Sequence, residues 1–222
     1  MSMQQDFEAA GPFAAVARDR GAAALTRALL MDAAASLLAR DDFAGVSAPA
    51  IAELAGAEAS TFHDHFADVA AIARAVASGI ADAVGAQVDE TLLEIGDASQ
   101  RVARGTRYFV ELAAERPDWG KTLVRAYWAV PELRASIQEP LRADIERGVA
   151  QGMFSALPDP MLAAGLTAMT LGALSARLDG ASPDCGCRAA ELQLRALGLT
   201  PAAATAIGWK TIAPQRLSVR FL

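Results

Sequence analysis

The stretch Thr26–Phe66 reads TRALLMDAAASLLARDDFAGVSAPAIAELAGAEASTFHDHF. Its first part, Arg27–Arg40, predicts a helix with one buried face, because apolar residues recur there at steps of three and four. Thr26 is the predicted N-cap of this helix. The apolar residues on the predicted buried face are Leu29, Leu30, Ala33, Ala34, Leu37 and Leu38.

Two shorter helices are predicted in the rest of this stretch. Ser47 has the hydroxyl of an N-cap, and Pro49 is tolerated in the first turn, where the amides have no helical acceptor. Gly56 allows a sharp turn, and the third helix is predicted over Glu58–His65. Two short helices joined by a glycine turn, after a supporting helix, are typical of a helix-turn-helix that places its second helix in the DNA major groove.

This arrangement separates core residues from residues that would contact DNA. The predicted core residues are Phe43, Ile51, Leu54, Phe62 and Phe66. The predicted DNA-binding residues lie at the start of the first helix, at the start of the second and along the third, and Arg18 and Arg20 could assist. They are Arg27, Ser47, Ala48, Pro49, Ala59, Ser60, Thr61, His63 and His65.

The rest of the chain also predicts helices and no strands, so the predicted fold class is all-α. Ala and Leu dominate the composition, and proline and glycine separate the periodic segments. A short helix is expected over Pro12–Arg20. The later helices are expected over 68–88, 98–116, 119–128, 133–151, 160–178, 188–197 and 201–208.

Composition points to a soluble protein of a reducing compartment. The sequence starts without a basic stretch and apolar core of the signal-peptide type, and charged residues are expected to interrupt later apolar runs before membrane-spanning length. Cys185 and Cys187, the two cysteines, are too close together for a disulfide framework. We therefore expect a cytoplasmic protein that does not contact a membrane.

The sequence gives little support to an enzymatic or a metal-binding function. The sequence has no Ser-His-Asp order, phosphate loop, paired acid motif or dinucleotide fingerprint, so we predict no enzyme, no catalytic residue and no cofactor. His63 and His65 are two apart and point to different sides of a helix, so no metal site is predicted there. Cys185 and Cys187 are placed in a loop, where a redox or soft-metal role is a third, weaker hypothesis.

The stretch Thr26–Phe66 closely resembles the DNA-reading head of the tetracycline-repressor (TetR) family. A weaker resemblance continues through PDWGKTLVRAYWAVPEL, RADIERGVAQGMF and LQLRALGLTPAAATAI. The resemblance implies a homodimer that packs through its last two long helices and a ligand cavity in each body. It also implies a function: a ligand-responsive transcriptional regulator, expected to be a repressor that binds a palindromic operator in double-stranded DNA.

Several positions differ from the family pattern where DNA would be touched. His63 stands where the family commonly has Tyr, and Val69 where it commonly has Lys; both family residues usually meet phosphates. Further differences are Asp42, Glu58 and Ser60.

The charge of the head adds to this difference. Residues 1–68 hold ten acidic residues against four arginines, which equals the net charge of −6 of the whole chain. Because Lys and Arg supply most phosphate affinity, an alternative function follows: a small-molecule or protein-binding module of TetR fold that no longer reads DNA.

The predicted ligand-binding domain, residues 69–210, holds most of the large side chains, and each of them is also a plausible core residue. A bundle cavity is mostly apolar with a few polar anchors, so we expect a small hydrophobic or aromatic effector. The predicted ligand-binding residues are Tyr108, Trp119, Arg125, Trp128, Met153, Phe154 and Met169, and Phe109 and Tyr127 belong to the same aromatic group.

Small residues dominate 162–178, which allows close helix packing. Together with 189–197 this segment is the candidate twofold interface, and a buried helix within one chain is the alternative. The predicted organisation is a mobile arm over 1–24, the helix-turn-helix domain over 25–68, the ligand-binding and dimerisation domain over 69–210 and a tail over 211–222.

Overall fold

The computed structural model describes residues 11–40 and 45–212, and this part of the chain is helical without strands. Phe43 and Asp42, together with the ends of the predicted arm and tail, lie outside the described residues. The helices are α1 (Pro12–Ala17), α2 (Ala22–Arg40), α3 (Ala48–Leu54), α4 (Ala59–His65), α5 (Val69–Leu92), α6 (Ala98–Glu115), α7 (Pro117–Ala129), α8 (Pro131–Ala150), α9 (Pro160–Leu178), α10 (Cys185–Ala196) and α11 (Pro201–Gly208).

The described residues divide into two compact units within α5, the first ending at Ile80 and the second beginning at Ala81. The predicted domain boundary, after Asp68, is the start of α5. There the Asp68 carboxylate accepts a hydrogen bond of 2.6 Å from the amide of Ala71, which caps the helix. The functional domain bounds remain a prediction.

The N-terminal unit contains α1 to α4 and the first part of α5. α1 packs on α2, where the carboxylate of Asp32 accepts from the amides of Phe13 and Ala14 at 3.1 and 2.9 Å. Phe13 is buried and lies so close to Gly79 that a Cβ there would be 2.7 Å from its ring. Residues 12–17 are therefore packed on this unit, whereas the sequence suggested a mobile arm.

Three local predictions in the N-terminal unit are wrong. Thr26 is not an N-cap, because α2 already begins at Ala22 and the Thr26 hydroxyl donates to the Ala22 carbonyl inside the helix. The alanines before Thr26 extend the helix. Leu29 and Leu54 are exposed rather than core, Leu54 to 50%, since it ends α3 beside the turn.

The C-terminal unit is a bundle of α6 to α11 with the last part of α5. The predicted helices over 160–178 and 201–208 are confirmed at both ends, where Asp159 and Thr200 cap α9 and α11. The core between α6, α8, α9, α10 and α11 contains Val102, Ile145 and Leu194 among its buried residues.

One prediction in the bundle is wrong: Cys185 and Cys187 form the first turn of α10 and are not in a loop. Gly186 between them is buried so close to α6 that a Cβ would be 3.3 Å from the Cα of Arg107. The absence of a side chain at Gly186 thus allows the first turn of α10 to lie close to α6.

The expectation about apolar runs is also wrong. Of the described helices, α2, α5 and α9 are long and apolar enough to cross a membrane by length and composition alone. Their alanine content raises the mean hydropathy, and between 33% and 44% of each apolar window is buried inside the protein. A helix that packs inside a protein can therefore have the same length and composition as these three helices.

Candidate functional site

The N-terminal unit forms the predicted helix-turn-helix. The Ser47 hydroxyl accepts from the amide of Ala50 at 3.4 Å and begins α3, and Gly56 turns the chain with φ +68° before α4. A residue with a Cβ is strained at that φ. Ile51 and Phe62 are fully buried and hold the two short helices together, which confirms their place in the core.

Most of the predicted DNA-binding side chains are accessible. Along α4, Ala59, Ser60 and His63 are exposed, whereas Thr61 and His65 are half-buried. At the start of α3, Ser47 and Pro49 are exposed and Ala48 is half-buried. The exposed surface of α3 and α4 therefore presents small side chains, a histidine and the carboxylates of Glu53 and Asp64 rather than lysine or arginine.

Arg27 is an exposed basic residue on α2, the helix before this motif. Its guanidinium lies 4.2 Å from the centroid of the Phe66 ring, at the end of α4. This cation–π contact holds the positive charge beside the C-terminal end of the predicted reading helix. Arg27 is thus positioned on the same unit as α3 and α4.

The C-terminal unit contains a cavity of about 370 Å³. It is lined by α5, α6, α8 and α9, and its walls are mostly apolar. The lining residues are Ala81, Asp82, Gly85, Ala86, Val88, Asp89, Leu92, Arg101, Val102, Gly105, Thr106, Phe109, Ser136, Ile137, Pro140, Leu141, Asp144, Thr167, Thr170 and Leu171. A volume near the lower end of the range for ligand sites suits a small molecule.

An ion pair forms one polar part of the cavity wall. Nε of Arg101 donates to Oδ1 of Asp144 at 2.5 Å, and both side chains are largely buried. Nη1 of Arg101 donates to the carbonyl of Leu92 at 2.7 Å, which ties α6 to the end of α5. These bonds pair the guanidinium and the carboxylate that the helices withdraw from water.

Asp89 lies on α5 beside this pair. Partial burial raises the pKa of the Asp89 carboxyl from its usual value, Arg101 opposes the change by lowering it, and Asp144 raises it further. The side chain is exposed enough to titrate with solvent. The cavity therefore has acidic groups at its edge and one arginine that is already paired.

A second polar part of the wall contains threonines. Thr106 donates to Oε1 of Gln193 at 2.5 Å, and Nε2 of Gln193 donates to the hydroxyl of Thr170 at 2.8 Å. Gln193 belongs to α10, is fully buried and is not itself part of the lining. One amide thus connects two cavity helices to a third.

None of the residues predicted to bind the effector lines this cavity, although Phe109 of the same aromatic group does. Trp119, Tyr108 and Phe154 are core residues, and Arg125 is half-buried on α7. The exposed ones are Trp128 at 63%, Met153 and Met169.

Sequence reasoning missed the polar lining because large side chains were taken as the signal for a pocket. The cavity is instead built where small residues leave space, including Ala81, Gly85 and Gly105. One signal was available: Pro140 lies inside α8, where it leaves the carbonyl of Ser136 without its usual helical donor, and both residues line the cavity.

Both thiols of the CGC segment are half-buried. Burial raises the pKa of Cys187, Arg107 opposes this change, and Asp184 and Glu111 raise it further. A raised pKa lowers the thiolate fraction at neutral pH, so the environment of Cys187 gives no support to the redox hypothesis.

A helix-turn-helix unit and a helical unit with a cavity are the parts of a DNA-binding transcriptional regulator. Residues 30–76 match the model for bacterial regulatory proteins of the tetR family, and residues 97–210 match the tetracyclin repressor-like C-terminal domain. The second match covers half of the chain. The chain therefore belongs to the TetR family of transcriptional regulators, as its sequence predicted.

Solved structures agree with this assignment. RolR in complex with its ligand resorcinol is 25% identical, with a TM-score of 0.71 over 86% of this chain and 97% of that one. AmtR of Mycobacterium smegmatis is also 25% identical, with a TM-score of 0.56 over 85% and 96%. FadR of Bacillus halodurans, at 12% identity, shares the fold with a TM-score of 0.67 over 76% and 94%. No curated protein sequence matches the chain significantly.

Proposed function

We propose that the protein is a ligand-responsive repressor that binds a palindromic operator as a homodimer and releases it when a small effector occupies the cavity. The observation that carries this proposal is the course of α5. Its residues up to Ile80 belong to the helix-turn-helix unit, and seven of its residues between Ala81 and Leu92 line the cavity. An effector that binds more tightly to one position of α5 would shift the positions of the two helix-turn-helix units. Allosteric coupling requires such a difference in affinity.

Family membership and the exposed surface of α9 support the homodimer. Met161 and Met169 are exposed on this helix, and a Cβ at Gly165 or Gly172 would meet nothing within 4 Å of its own chain. Small and methionine side chains on one helix face allow a second helix to approach closely. We assign α9, together with the exposed face of α10, to the twofold interface.

The proposed effector is a small hydroxylated aromatic molecule. The cavity has room for a molecule of one or two rings, and its apolar wall carries carboxylates and hydroxyls that can pair with phenolic groups. RolR, which shares 25% of its residues with this chain, was solved with resorcinol, a dihydroxybenzene. Resorcinol is therefore the first compound to test, and the protein would act as a cytoplasmic regulator rather than an enzyme.

The decisive experiment is selection of duplexes from a random pool, followed by fluorescence anisotropy with the selected DNA at low and moderate salt. We expect a palindrome whose affinity falls as salt rises, because phosphate contacts release counterions. Addition of resorcinol should release the DNA from the wild-type protein. Trp128→Ala, which changes an exposed side chain outside the cavity, is a matched control and should respond like the wild type.

One observation favours the second candidate function, a binding module without DNA recognition. The exposed surface of α3 and α4 offers histidine, small side chains and the carboxylates of Glu53 and Asp64, and residues 1–68 hold ten acids against four arginines. Failure to enrich any duplex at low salt, together with binding of resorcinol, would favour that module over the repressor.

A further inference from the structure

Gln193 lies behind the cavity wall, where it is fully buried on α10. We infer that this residue sets the hydrogen-bonding polarity of the cavity: it holds the hydroxyls of Thr106 and Thr170 as acceptors, so that the site selects effectors that donate hydrogen bonds. The inference rests on the proposed function, namely that this cavity takes the effector. Gln193 is in this sense a positioning residue that determines specificity without lining the cavity.

The orientation of the Gln193 amide follows from its neighbours. One end of the amide lies 2.8 Å from the carbonyl oxygen of Leu166, which can only accept. That end must therefore be the NH₂ group, since a reversed amide would place two acceptors together. The oxygen of the amide then faces Thr106, 2.5 Å away.

This orientation fixes the proton of Thr106. An amide oxygen can only accept, so the Thr106 hydroxyl must donate its single hydrogen to Gln193. Its oxygen lone pairs are what remain for a ligand. Because Thr106 is itself buried in the wall, reversing this bond would leave the amide oxygen of Gln193 buried without a donor, which is costly.

The hydroxyls of the other threonines in the cavity wall are also left as hydrogen-bond acceptors. Thr170 donates to the Leu166 carbonyl at 3.3 Å while it accepts from Gln193, and Thr167 donates to the Ala163 carbonyl at 2.9 Å. Each hydroxyl has thus committed its hydrogen to the protein. The wall offers acceptors to a ligand at all three positions.

Carboxylates strengthen this preference. Asp89 and Asp144 line the same cavity, and Arg101 already donates to Asp144 and to the Leu92 carbonyl. A carboxylate ligand would meet acidic groups and hydroxyl lone pairs. A ligand with hydroxyl or amino donors would satisfy them, so the expected class is a neutral phenol or an aromatic amine rather than an aromatic acid.

The test is a titration of the full chain by calorimetry with three probes of one ring skeleton: resorcinol, 3-methoxyphenol and 1,3-dimethoxybenzene. Each methylation removes one donor and keeps the acceptor oxygen. In the wild type we expect affinity to fall about fivefold with each donor lost. In Gln193→Leu the Thr106 hydrogen is released and can donate to an ether oxygen, so the resorcinol-to-dimethoxybenzene affinity ratio should shrink about fivefold.

The ratio isolates this effect, because the extra size of the methyl groups is the same for both proteins. Gln151→Leu is the matched control. Gln151 also accepts one bond, from the amide of Ala98, and donates one, to the carbonyl of Gly96, and it lies outside the cavity lining. Its loss should lower the melting temperature and leave the ratio unchanged.

Should Gln193→Leu fail to fold, Thr106→Val decides. It removes an acceptor, so resorcinol affinity should fall about fivefold while dimethoxybenzene affinity stays constant. Three results would overturn the inference while leaving a ligand-binding cavity. They are an equal loss of affinity for resorcinol and dimethoxybenzene in Thr106→Val, an unchanged affinity ratio in a folded Gln193→Leu protein, and equal wild-type affinity for all three probes. Binding of none of the probes would overturn the proposed phenolic effector and this inference with it.

Discussion

At the scale of single residues, the Arg101–Asp144 pair is the contact whose loss should cost most. Asp144→Asn leaves the largely buried guanidinium of Arg101 without the carboxylate to which it is bonded, so we expect the free energy of unfolding to fall by about 3 kcal/mol. Urea denaturation measures this. Glu146→Gln, on the same helix but in an exposed pair with Arg142, is the control and should change it by less than about 0.5 kcal/mol.

Asp89 should make stability depend on pH in a defined direction. Its pKa is raised above 3.8 in the folded protein, chiefly by partial burial, so ionising it costs stability. The favourable contribution is complete below pH 3.8 and is lost as pH rises through the folded-state pKa. Arg101 moderates the effect, and Asp144 adds to it.

Asp89→Asn removes this titration. The melting temperature of the variant should match that of the wild type in acid and exceed it at about pH 7. Thermal unfolding monitored by circular dichroism over this range is the measurement. A constant difference at every pH would mean that Asp89 affects stability through packing rather than through its charge.

At the scale of elements, α1 should depend on one carboxylate of another helix. Asp32 accepts from two amides in the first turn of α1, which otherwise has no side-chain cap. Asp32→Ala should lower the free energy of unfolding by about 1–2 kcal/mol and expose the α1 amides to hydrogen exchange. Asp19→Ala, an exposed change in the turn after α1, is the control, and similar losses for both would argue against this cap.

The elements themselves could be predicted from the sequence because their ends are marked locally. Ser47, Asp159 and Thr200 cap helices with their own side chains, and a proline follows each cap within two residues. The early start of α10 at Cys185 could not be predicted in this way, since Asp184 before it makes no side-chain cap and its first turn packs against Arg107 of a distant helix.

The candidate ligand site was less predictable for the same reason. Its polar groups come from helices far apart in the chain, and the hydrogen bond from Thr106 to Gln193 spans 87 positions. Trp128 and Met153 attracted the prediction through their size, yet both are exposed outside the cavity. The helix-turn-helix was predictable because its turn, caps and core lie within one short stretch.

At the scale of the whole molecule, the exposed face of α9 allows a direct test of the dimer. Gly172 is exposed and a Cβ there would meet nothing within 4 Å among the described residues, so Gly172→Arg should leave each protomer folded. The added charge and bulk should shift the protein to monomers in analytical ultracentrifugation. Ala143→Arg, an exposed position on α8, is the control, and a dimer that survives Gly172→Arg would place the interface elsewhere.

The charge of the head should set how DNA affinity depends on salt. Each phosphate neutralised by a lysine or arginine contributes about 0.9 to the slope of log affinity against log salt. With four arginines in residues 1–68 of each protomer, the dimer should show a slope shallower than about −7.

His63→Lys and Val69→Lys place positive charge where the family resemblance expects phosphate contacts. Each substitution should steepen the slope of the dimer by about 1.8 and raise low-salt affinity for all duplexes alike, measured by anisotropy. An unchanged slope would mean that α4 and the start of α5 do not meet the DNA backbone, which would favour the binding module over the repressor.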